Sequence, residues 1–202
     1  MLEVKNFTCI RNASKLFAPI QFSMNGSEVL QITGQNGIGK TTLLKTIAGL
    51  LTDYVGEVKI NSQKICYLGH KPALHPQLTV AQNLQLFASS QARSNDKITQ
   101  LQSTLQYFAI ERKISVRCKE LSAGQQQRVN LSKLLLTSAD IWILDEPLIN
   151  LDVQGISLLQ NLCLQHLAKA GILLLATHRN LELQPYISKN LFLERVSECN
   201  SI

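Results

Sequence analysis

The sequence has no apolar run that approaches the length of about 20 residues needed to cross a bilayer as a helix. Its N-terminus also lacks the apolar segment of a secretory signal, so we expect no secretion. The five cysteines are scattered, odd in number and never spaced as Cys-x-x-Cys, which favours reduced thiols and argues against a metal cluster or a haem attachment site. They are Cys9, Cys66, Cys118, Cys163 and Cys199.

Aromatic residues are scarce as well, at 5% of the chain, and the lysines and arginines are not interleaved with them. The net charge of +6 therefore indicates a solvated surface or attraction toward an anionic membrane face, and does not indicate a nucleic-acid partner. What the chain does have is 202 residues, of which 45% are hydrophobic, enough to build the core of a single α/β domain.

The most informative segment lies near the N-terminus, where an alternating strand pattern over residues 28–33 is followed by a helical pattern over residues 41–48. The turn between them matches G-x-x-x-x-G-K-[ST], a phosphate-binding loop, in the strand-to-helix context that this motif requires. The predicted nucleotide-binding residues are Gly34, Gln35, Asn36, Gly37, Ile38, Gly39, Lys40, Thr41 and Thr42.

The residue types in this loop suit a phosphate ligand. Glycines allow left-handed φ and a close wrap, so that backbone N–H groups converge on the β-phosphate at a helix N-terminus, which carries roughly half a positive charge. Lys40 would add a full charge at the β- and γ-phosphate oxygens, and the Thr41 hydroxyl would ligate Mg²⁺. The alternative is that the loop is merely a tight connection between strand and helix.

Two further strings follow, LSAGQQQR at residues 121–128 and IWILDEP at residues 141–147. Residues 141–144 form an apolar run suited to a strand buried on both faces, and such a strand delivers two carboxylates to its C-terminal end, where open α/β sheets bind ligands. We expect Asp145 to ligate Mg²⁺ and Glu146, on the other face of the extended chain, to orient or deprotonate an attacking water. The other interpretation of two acids at a strand end is a solvated turn.

Together these two strings resemble those of an ABC ATPase, in which the first is the signature motif, usually written LSGGQ, and the second is the Walker B strand. The resemblance covers nearly the whole chain and implies an α/β fold, a P-loop NTPase domain of the ABC nucleotide-binding type. We expect a single such domain over residues 1–202, with an N-terminal antiparallel β portion over about 2–33, strands near 57–68 and a helical subdomain inserted over about 76–137.

Periodicity predicts two amphipathic helices in this framework. The first lies inside the helical subdomain, and its apolar face is formed by Ile98, Leu101, Leu105 and Phe108. The second follows the Walker B strand and is expected to pack on the sheet through Ile156, Leu159, Cys163, Leu167 and Ala170.

The signature string opens a helix whose first turn, at Ser122, Gly124 and Gln125, offers backbone N–H groups to an anion, although no phosphate-binding sequence lies nearby. In ABC ATPases this site closes over the γ-phosphate held by the P-loop of an opposing subunit. The resemblance therefore implies a head-to-tail dimer with two ATP molecules between its chains.

His178 follows a second apolar run, residues 172–176, that is typical of a buried parallel strand. The imidazole is therefore expected at the edge of the sheet where the phosphates lie, and it matches the position of the family's switch histidine. There it would hydrogen-bond the γ-phosphate. The alternative is a structural histidine.

Two positions depart from most ABC ATPases. His70 stands where a glutamine usually contacts Mg²⁺ and the attacking water, and Arg11 stands where a tyrosine usually stacks on adenine. An imidazole and a planar guanidinium are able to make similar contacts, although His70 is alternatively a surface loop residue. With the LSAGQQ and WILDEP strings, these positions are similar to the ATP-binding subunits of the cytochrome c maturation transporters, the haem exporter group.

This resemblance implies an ATPase, with ATP and Mg²⁺ as its ligands, that energises a haem-handling step of c-type cytochrome biogenesis. The implied partners are a polytopic membrane subunit, a second copy of the chain and, indirectly, a haem chaperone pathway. The implied location is the periphery of the inner membrane on its cytoplasmic face, or the mitochondrial matrix face. The alternatives are an ABC transporter subunit for another substrate, a soluble ABC ATPase and a P-loop kinase.

Overall fold

A computed structural model of the chain describes residues 1–61, 64–90, 97–178 and 181–195. Its strands are β1 (Leu2–Arg11), β2 (Ser14–Lys15), β3 (Ile20–Met24), β4 (Glu28–Gly34), β5 (Tyr54–Ile60), β6 (Ile65–Leu68), β7 (Ile141–Asp145), β8 (Ile172–Ala176) and β9 (Ile187–Leu193). Its helices are α1 (Lys40–Ile47), α2 (Val80–Ser90), α3 (Lys97–Tyr107), α4 (Ala123–Ser132) and α5 (Val153–Ala168). Short 3₁₀ turns cover Glu111–Lys113, Cys118–Glu120 and Lys133–Leu135.

The central element is a parallel sheet of five strands in the order β6-β7-β8-β4-β9. All residues of β7 and β8 are buried, as the two apolar runs predicted. In this order β4, which leads into the glycine-rich loop, lies beside β8, and β8 lies beside β7. The carboxyl ends of these strands therefore meet at one edge of the sheet, so the loops that follow them lie close together.

The parallel sheet separates two apolar cores. Successive side chains along a strand point to opposite faces of the sheet, so they pack into different cores. In β7, Ile141 and Ile143 join the core that contains α1 and the N-terminal strands, whereas Trp142 and Leu144 join the core that contains α3, α4 and α5. This two-sided burial explains why β7 and β8 are continuous apolar runs without polar alternation.

An antiparallel sheet is formed by β2, β1 and β3, with β5 paired to the other side of β1. The α/β class with an N-terminal antiparallel portion is thus confirmed, but two of its predicted limits are wrong. The antiparallel portion ends at β3, because β4 pairs in parallel with β8 and β9. The predicted strands near 57–68 divide between the sheets, since β5 is antiparallel to β1 and β6 is parallel to β7.

The helices α2, α3 and α4 lie between β6 and β7 along the chain. The predicted amphipathic helix is α3, and Leu101, Leu105 and Phe108 are buried as expected, although Phe108 follows the last helical residue. In α5, Leu159, Cys163 and Leu167 are buried, but Ala170 is not on the helix. The helix ends at Ala168, and Ala170 is exposed with a left-handed φ of 59°.

None of the helices in the described ranges is long and apolar enough to cross a membrane. The four cysteines within those ranges, Cys9, Cys66, Cys118 and Cys163, are free and buried. The fifth, Cys199, lies outside the described residues.

Gly56 marks a tight point in the antiparallel sheet, where the pairing of β1 with β5 shifts register. Its φ is 110°, and a Cβ there would lie 2.5 Å from the Asn6 carbonyl oxygen and 2.6 Å from that of Lys5. Gly49 has a left-handed φ of 75° but open space where a Cβ would stand.

We predict that Gly56→Ala lowers the free energy of unfolding by more than Gly49→Ala does. Both changes incur left-handed strain of about 1–2 kcal/mol, and only the first adds overlap with backbone, which costs a further ~1–3 kcal/mol. Urea unfolding of the nucleotide-free protein measures the difference. Equal losses for the two variants would show that the sheet accommodates the extra methyl group.

Candidate functional site: a nucleotide cleft at the carboxyl edge of the parallel sheet

The glycine-rich loop connects β4 to α1 and has the left-handed backbone that its glycines allow. The φ angles are 144° at Gly34, 78° at Gly37 and 114° at Gly39. Gly39 is also the N-cap of α1, and a Cβ there would lie 3.2 Å from side-chain carbons of Leu16 and Phe17. The loop therefore takes this path because glycine stands at these positions, and it presents the positive end of α1 to the cleft.

The Lys40 side chain is largely buried, at 9% exposure, and folds back into the loop. Its ammonium donates hydrogen bonds to the carbonyl oxygens of Gly34, at 2.8 Å, and Gln35, at 3.2 Å. The charge is therefore positioned at the centre of the loop, where phosphate oxygens are stronger acceptors than neutral carbonyls.

Thr41 and Asp145 meet across the strand edge. The Thr41 hydroxyl donates to Oδ2 of Asp145 at 2.8 Å, and the Tyr67 hydroxyl lies 3.5 Å from the same oxygen. Asp145 is 2% exposed, and burial together with this carboxylate raises the pKa of the Tyr67 hydroxyl. The donor set, a hydroxyl and a buried carboxylate beside a phosphate loop, consists of the hard oxygen ligands that Mg²⁺ prefers, so these residues fit the metal.

Glu146 is separated from Asp145 by a turn of the backbone. The prediction that an extended chain points the two carboxylates to opposite faces is wrong, because β7 ends at Asp145 and Glu146 has a left-handed φ of 51°. Its backbone N–H donates to the Ala176 carbonyl at 2.7 Å. This bond directs the Glu146 side chain toward His178, whose Nε2 lies 3.4 Å from its Oε1.

These residues line one cleft of about 1040 Å³. Glu146 is mostly buried in it, with 15% of its side chain exposed, whereas His178 at 57% is open to solvent. The cleft brings together most of the residues that the sequence singled out. From the predicted set it includes Arg11, Asn36, Gly37, Gly39, Lys40, Thr41, Thr42, His70, Asp145, Glu146 and His178.

The signature residues lie in a different cavity of about 570 Å³, so the fold does not bring them to the P-loop of the same chain. Ser122 is the N-cap of α4, and its hydroxyl accepts the Gln125 N–H while its own N–H donates to the Gln125 side chain. Ser122, Gly124 and Gln125 all line this second cavity. Asn150 lines both cavities and so lies at their boundary.

Contacts that the sequence did not reveal attach the signature helix to the segment that follows Glu146. The Gln127 side chain donates to the Pro147 carbonyl at 2.8 Å, and Arg128 donates to both carboxylate oxygens of Asp152 at 2.7 and 2.9 Å. A Cβ on Gly124 would stand 2.8 Å from the Asn150 carbonyl oxygen. The sequence carried one signal of this region's structure. Asp152 directly precedes α5, and aspartate is a residue type that caps helices.

A phosphate loop and a carboxylate pair at one edge of a parallel sheet define the class of P-loop NTPases. The family model of the ABC transporters matches residues 17–149, and the chain belongs to that family. It is therefore an ATPase subunit.

Several similar proteins within this family share one name. The chain is similar to "Cytochrome c biogenesis ATP-binding export protein CcmA" of Vibrio cholerae, with 39% identity over 90% of this chain and 92% of the relative. The protein of the same name from Yersinia pestis is 41% identical over 90% of this chain and 87% of the relative. A third, from Dechloromonas aromatica, is 34% identical over 91% and 95%.

Solved structures agree on the fold. An ATP-binding subunit of an ABC transporter superposes with a TM-score of 0.85 and 29% identity, covering 96% of this chain and 86% of the other. A dimeric ATP-binding cassette bound to ADP and Pi also gives a TM-score of 0.85, over 96% of this chain and 94% of the other. Its 22% identity supports the ABC-type fold only.

The geometry predicts different outcomes for the two neighbouring carboxylates. Glu146→Gln keeps the shape of the site and removes the base beside His178, so we expect ATP to stay bound while hydrolysis falls about 10²- to 10⁴-fold. Asp145→Asn replaces a ligand of a hard cation by a poorer one, so we expect weaker binding of Mg-ATP. Nucleotide retention on gel filtration, with phosphate release, distinguishes them.

A stable ATP-bound dimer is expected for Glu146→Gln and mostly monomer for Asp145→Asn. Rapid hydrolysis by Glu146→Gln would remove the catalytic role from Glu146 and direct the search to His178 or His70.

Proposed function

We propose that this chain is the ATP-hydrolysing subunit of an ABC exporter and energises a haem-handling step of c-type cytochrome biogenesis. One structural observation carries the ATPase mechanism: a single cleft holds the glycine-rich loop, the Thr41–Asp145 pair and the Glu146–His178 pair. The cytochrome c assignment is supported by relatives named for that pathway over about 90% of the chain.

In this proposal the loop from Gly34 to Thr42 holds the ATP phosphates. The Lys40 ammonium moves from the Gly34 and Gln35 carbonyls to the β- and γ-phosphate oxygens, a short change for a side chain already inside the loop. Thr41 and Asp145 would hold Mg²⁺, which when bound neutralises charge on the phosphates. Arg11, at the end of β1, lines the same cleft and would stack on the adenine.

Glu146 orients the attacking water and accepts its proton in our proposal. The left-handed turn at Glu146 and its backbone bond to β8 fix the carboxylate near His178. His178 is then placed to donate a hydrogen bond to the γ-phosphate while contacting Glu146. His70 follows β6 and lines the same cleft, where it would contact the water or Mg²⁺.

The site is completed by a second copy of the chain. The signature turn lines its own cavity, and its capping box uses the N–H groups of Ser122 and Gln125. The Gly124 N–H in the first turn of α4 and the proton of the Ser122 hydroxyl would then bind a phosphate from outside the chain. A head-to-tail dimer would bring that turn over the γ-phosphate held by the partner's loop. Each ATP would then contact the P-loop of one chain and the signature turn of the other.

We further propose that this dimer sits at the periphery of the inner membrane on its cytoplasmic face, or on the mitochondrial matrix face, bound to a polytopic subunit. ATP hydrolysis would reach the haem chaperone pathway only through that subunit. Affinity isolation from native membranes tests this assignment. Recovery of a polytopic chain with a haem chaperone is expected, and recovery of ribosomes or DNA would overturn it.

The shared site makes a specific prediction for mixed dimers. Lys40→Ala alone should lose about 10²- to 10³-fold in rate, since it removes a preorganised charge at the phosphates. Ser122→Arg should also be inactive, because it blocks the partner's phosphate. Mixing the two variants leaves one intact composite site in each heterodimer, so phosphate release should recover.

The matched control mixes Lys40→Ala with Glu146→Gln. Both of these residues act on the ATP held by their own chain, so every site in that heterodimer stays defective and no recovery is expected. Recovery in both mixtures, or in neither, would contradict the shared-site arrangement.

A further inference from the structure

Tyr67 is a polar side chain beside the nucleotide cleft to which the sequence motifs give no role. It is the third residue of β6 and is aligned with Ile143 of the neighbouring strand β7. Ile143 belongs to the core that contains α1, and the Tyr67 ring packs against the same core. Asp145 lies two residues beyond Ile143, on the same face of β7, because side chains alternate along a strand. The register of β6 on β7 thus brings Tyr67 next to Asp145.

The Tyr67 hydroxyl shares one carboxylate oxygen with Thr41. Oδ2 of Asp145 accepts from the Thr41 hydroxyl at 2.8 Å and from the Tyr67 hydroxyl at 3.5 Å. A carboxylate oxygen has two lone pairs and a phenol is protonated at neutral pH, so both hydroxyls are able to donate at once. The two donors belong to different elements, α1 and β6, and together they restrict the orientation of the carboxylate.

Asp145 needs such donors because it is deeply buried. Within the described part of the chain it forms no ion pair with a basic side chain. Burying a carboxylate is costly unless hydrogen bonds satisfy its oxygens. The bond from Tyr67 is the longer of the two, and hydrogen bonds at functional sites are often long until the ligand binds. We therefore expect it to shorten when the cleft is occupied.

The Tyr67 ring is constrained by the backbone that follows β6. A Cβ on Gly69 would lie 3.2 Å from both Cε1 and the hydroxyl oxygen of Tyr67, closer than ordinary van der Waals contact. Because glycine stands there, the ring is able to lie directly against the backbone of residue 69. Contacts with this backbone and with the α1 core restrict the ring, and its hydroxyl points to Asp145.

We propose that Tyr67 is a positioning residue for Mg²⁺: its hydroxyl donates to Asp145 and holds the carboxylate in the orientation that ligates the metal. This inference rests on the proposed function, in which Thr41 and Asp145 hold Mg²⁺ with the ATP phosphates. Tyr67 does not belong to the described residues that line the nucleotide cleft, so it acts through Asp145. Donors behind a ligating group typically contribute about 10- to 100-fold in metal affinity or activity.

The direct test compares nucleotide affinity with and without the metal. Tyr67→Phe keeps the ring and removes only the hydroxyl oxygen. Titration calorimetry with adenylyl imidodiphosphate, a non-hydrolysable ATP analogue, should show an affinity that is weakened about 10- to 100-fold in Mg²⁺ and unchanged in EDTA. The affinity in EDTA depends on the glycine-rich loop and Lys40, so it also verifies that the variant is folded.

The matched control is Tyr107→Phe. Tyr107 is also half-buried, and its hydroxyl donates to the carbonyl of Leu158 on α5 at 3.0 Å. Removing this hydroxyl should leave both affinities unchanged. Tyr67→Phe should also add little to the effect of Asp145→Asn, because the hydroxyl acts through the carboxylate that Asp145→Asn removes.

The hydrolysis rate provides a second measurement. For Tyr67→Phe, the Mg²⁺ concentration that gives half-maximal phosphate release should rise about tenfold or more. The deficit in rate should shrink as Mg²⁺ approaches saturation. A residue that only supported the fold would lower the rate at every Mg²⁺ concentration.

The possible failures have different meanings. If Tyr67→Phe leaves the affinity in Mg²⁺ unchanged, or weakens it equally in Mg²⁺ and in EDTA, the positioning role of Tyr67 is wrong and the proposed function stands. If the unchanged chain binds the analogue equally well with and without Mg²⁺, the metal site at Thr41 and Asp145 fails, and that part of the proposed function fails with it.

Discussion

The hydrogen bond between Thr41 and Asp145 is the contact on which the arrangement of the cleft depends. It joins the first turn of α1 to the end of β7 at 2.8 Å, although the two residues are 104 positions apart in the sequence. The bond is possible only because β4 and β7 both flank β8, with Ala176 aligned with Ile32 on one side and Asp145 on the other. Sheet order therefore converts two distant sequence strings into one site.

Those parts of the fold and of the cleft that depend on local sequence patterns were predictable from the sequence. The glycine-rich loop, the buried strands β7 and β8 and the face of α3 were all indicated by spacing and periodicity. The sheet to which each strand belongs was not predictable from the sequence. The reason is that β4 and the N-terminal strands show similar alternation of polar and apolar residues, and they differ only in the strands with which they pair. The turn at Glu146 was missed for a related reason, since a left-handed φ at a glutamate has no sequence pattern.

Long-range polar contacts account for the rest of what the sequence did not show. Arg128 and Asp152 are 24 residues apart, and their pairing depends on how α4 packs against the segment before α5. That same contact, with Gln127 on the Pro147 carbonyl, attaches the signature turn to the residues that follow Glu146. In the dimer we propose, these two parts of one chain act on different ATP molecules, so the contact would link the two sites.

In the dimer that we propose, one chain holds only half of a working ATPase site. The most direct measurement is the specific rate of phosphate release by the purified chain over a wide range of protein concentration, at saturating Mg-ATP. We expect a low specific rate in dilute protein that rises with concentration and reaches a plateau as dimers form. A specific rate that stays constant down to concentrations at which the chain is monomeric by light scattering would contradict it.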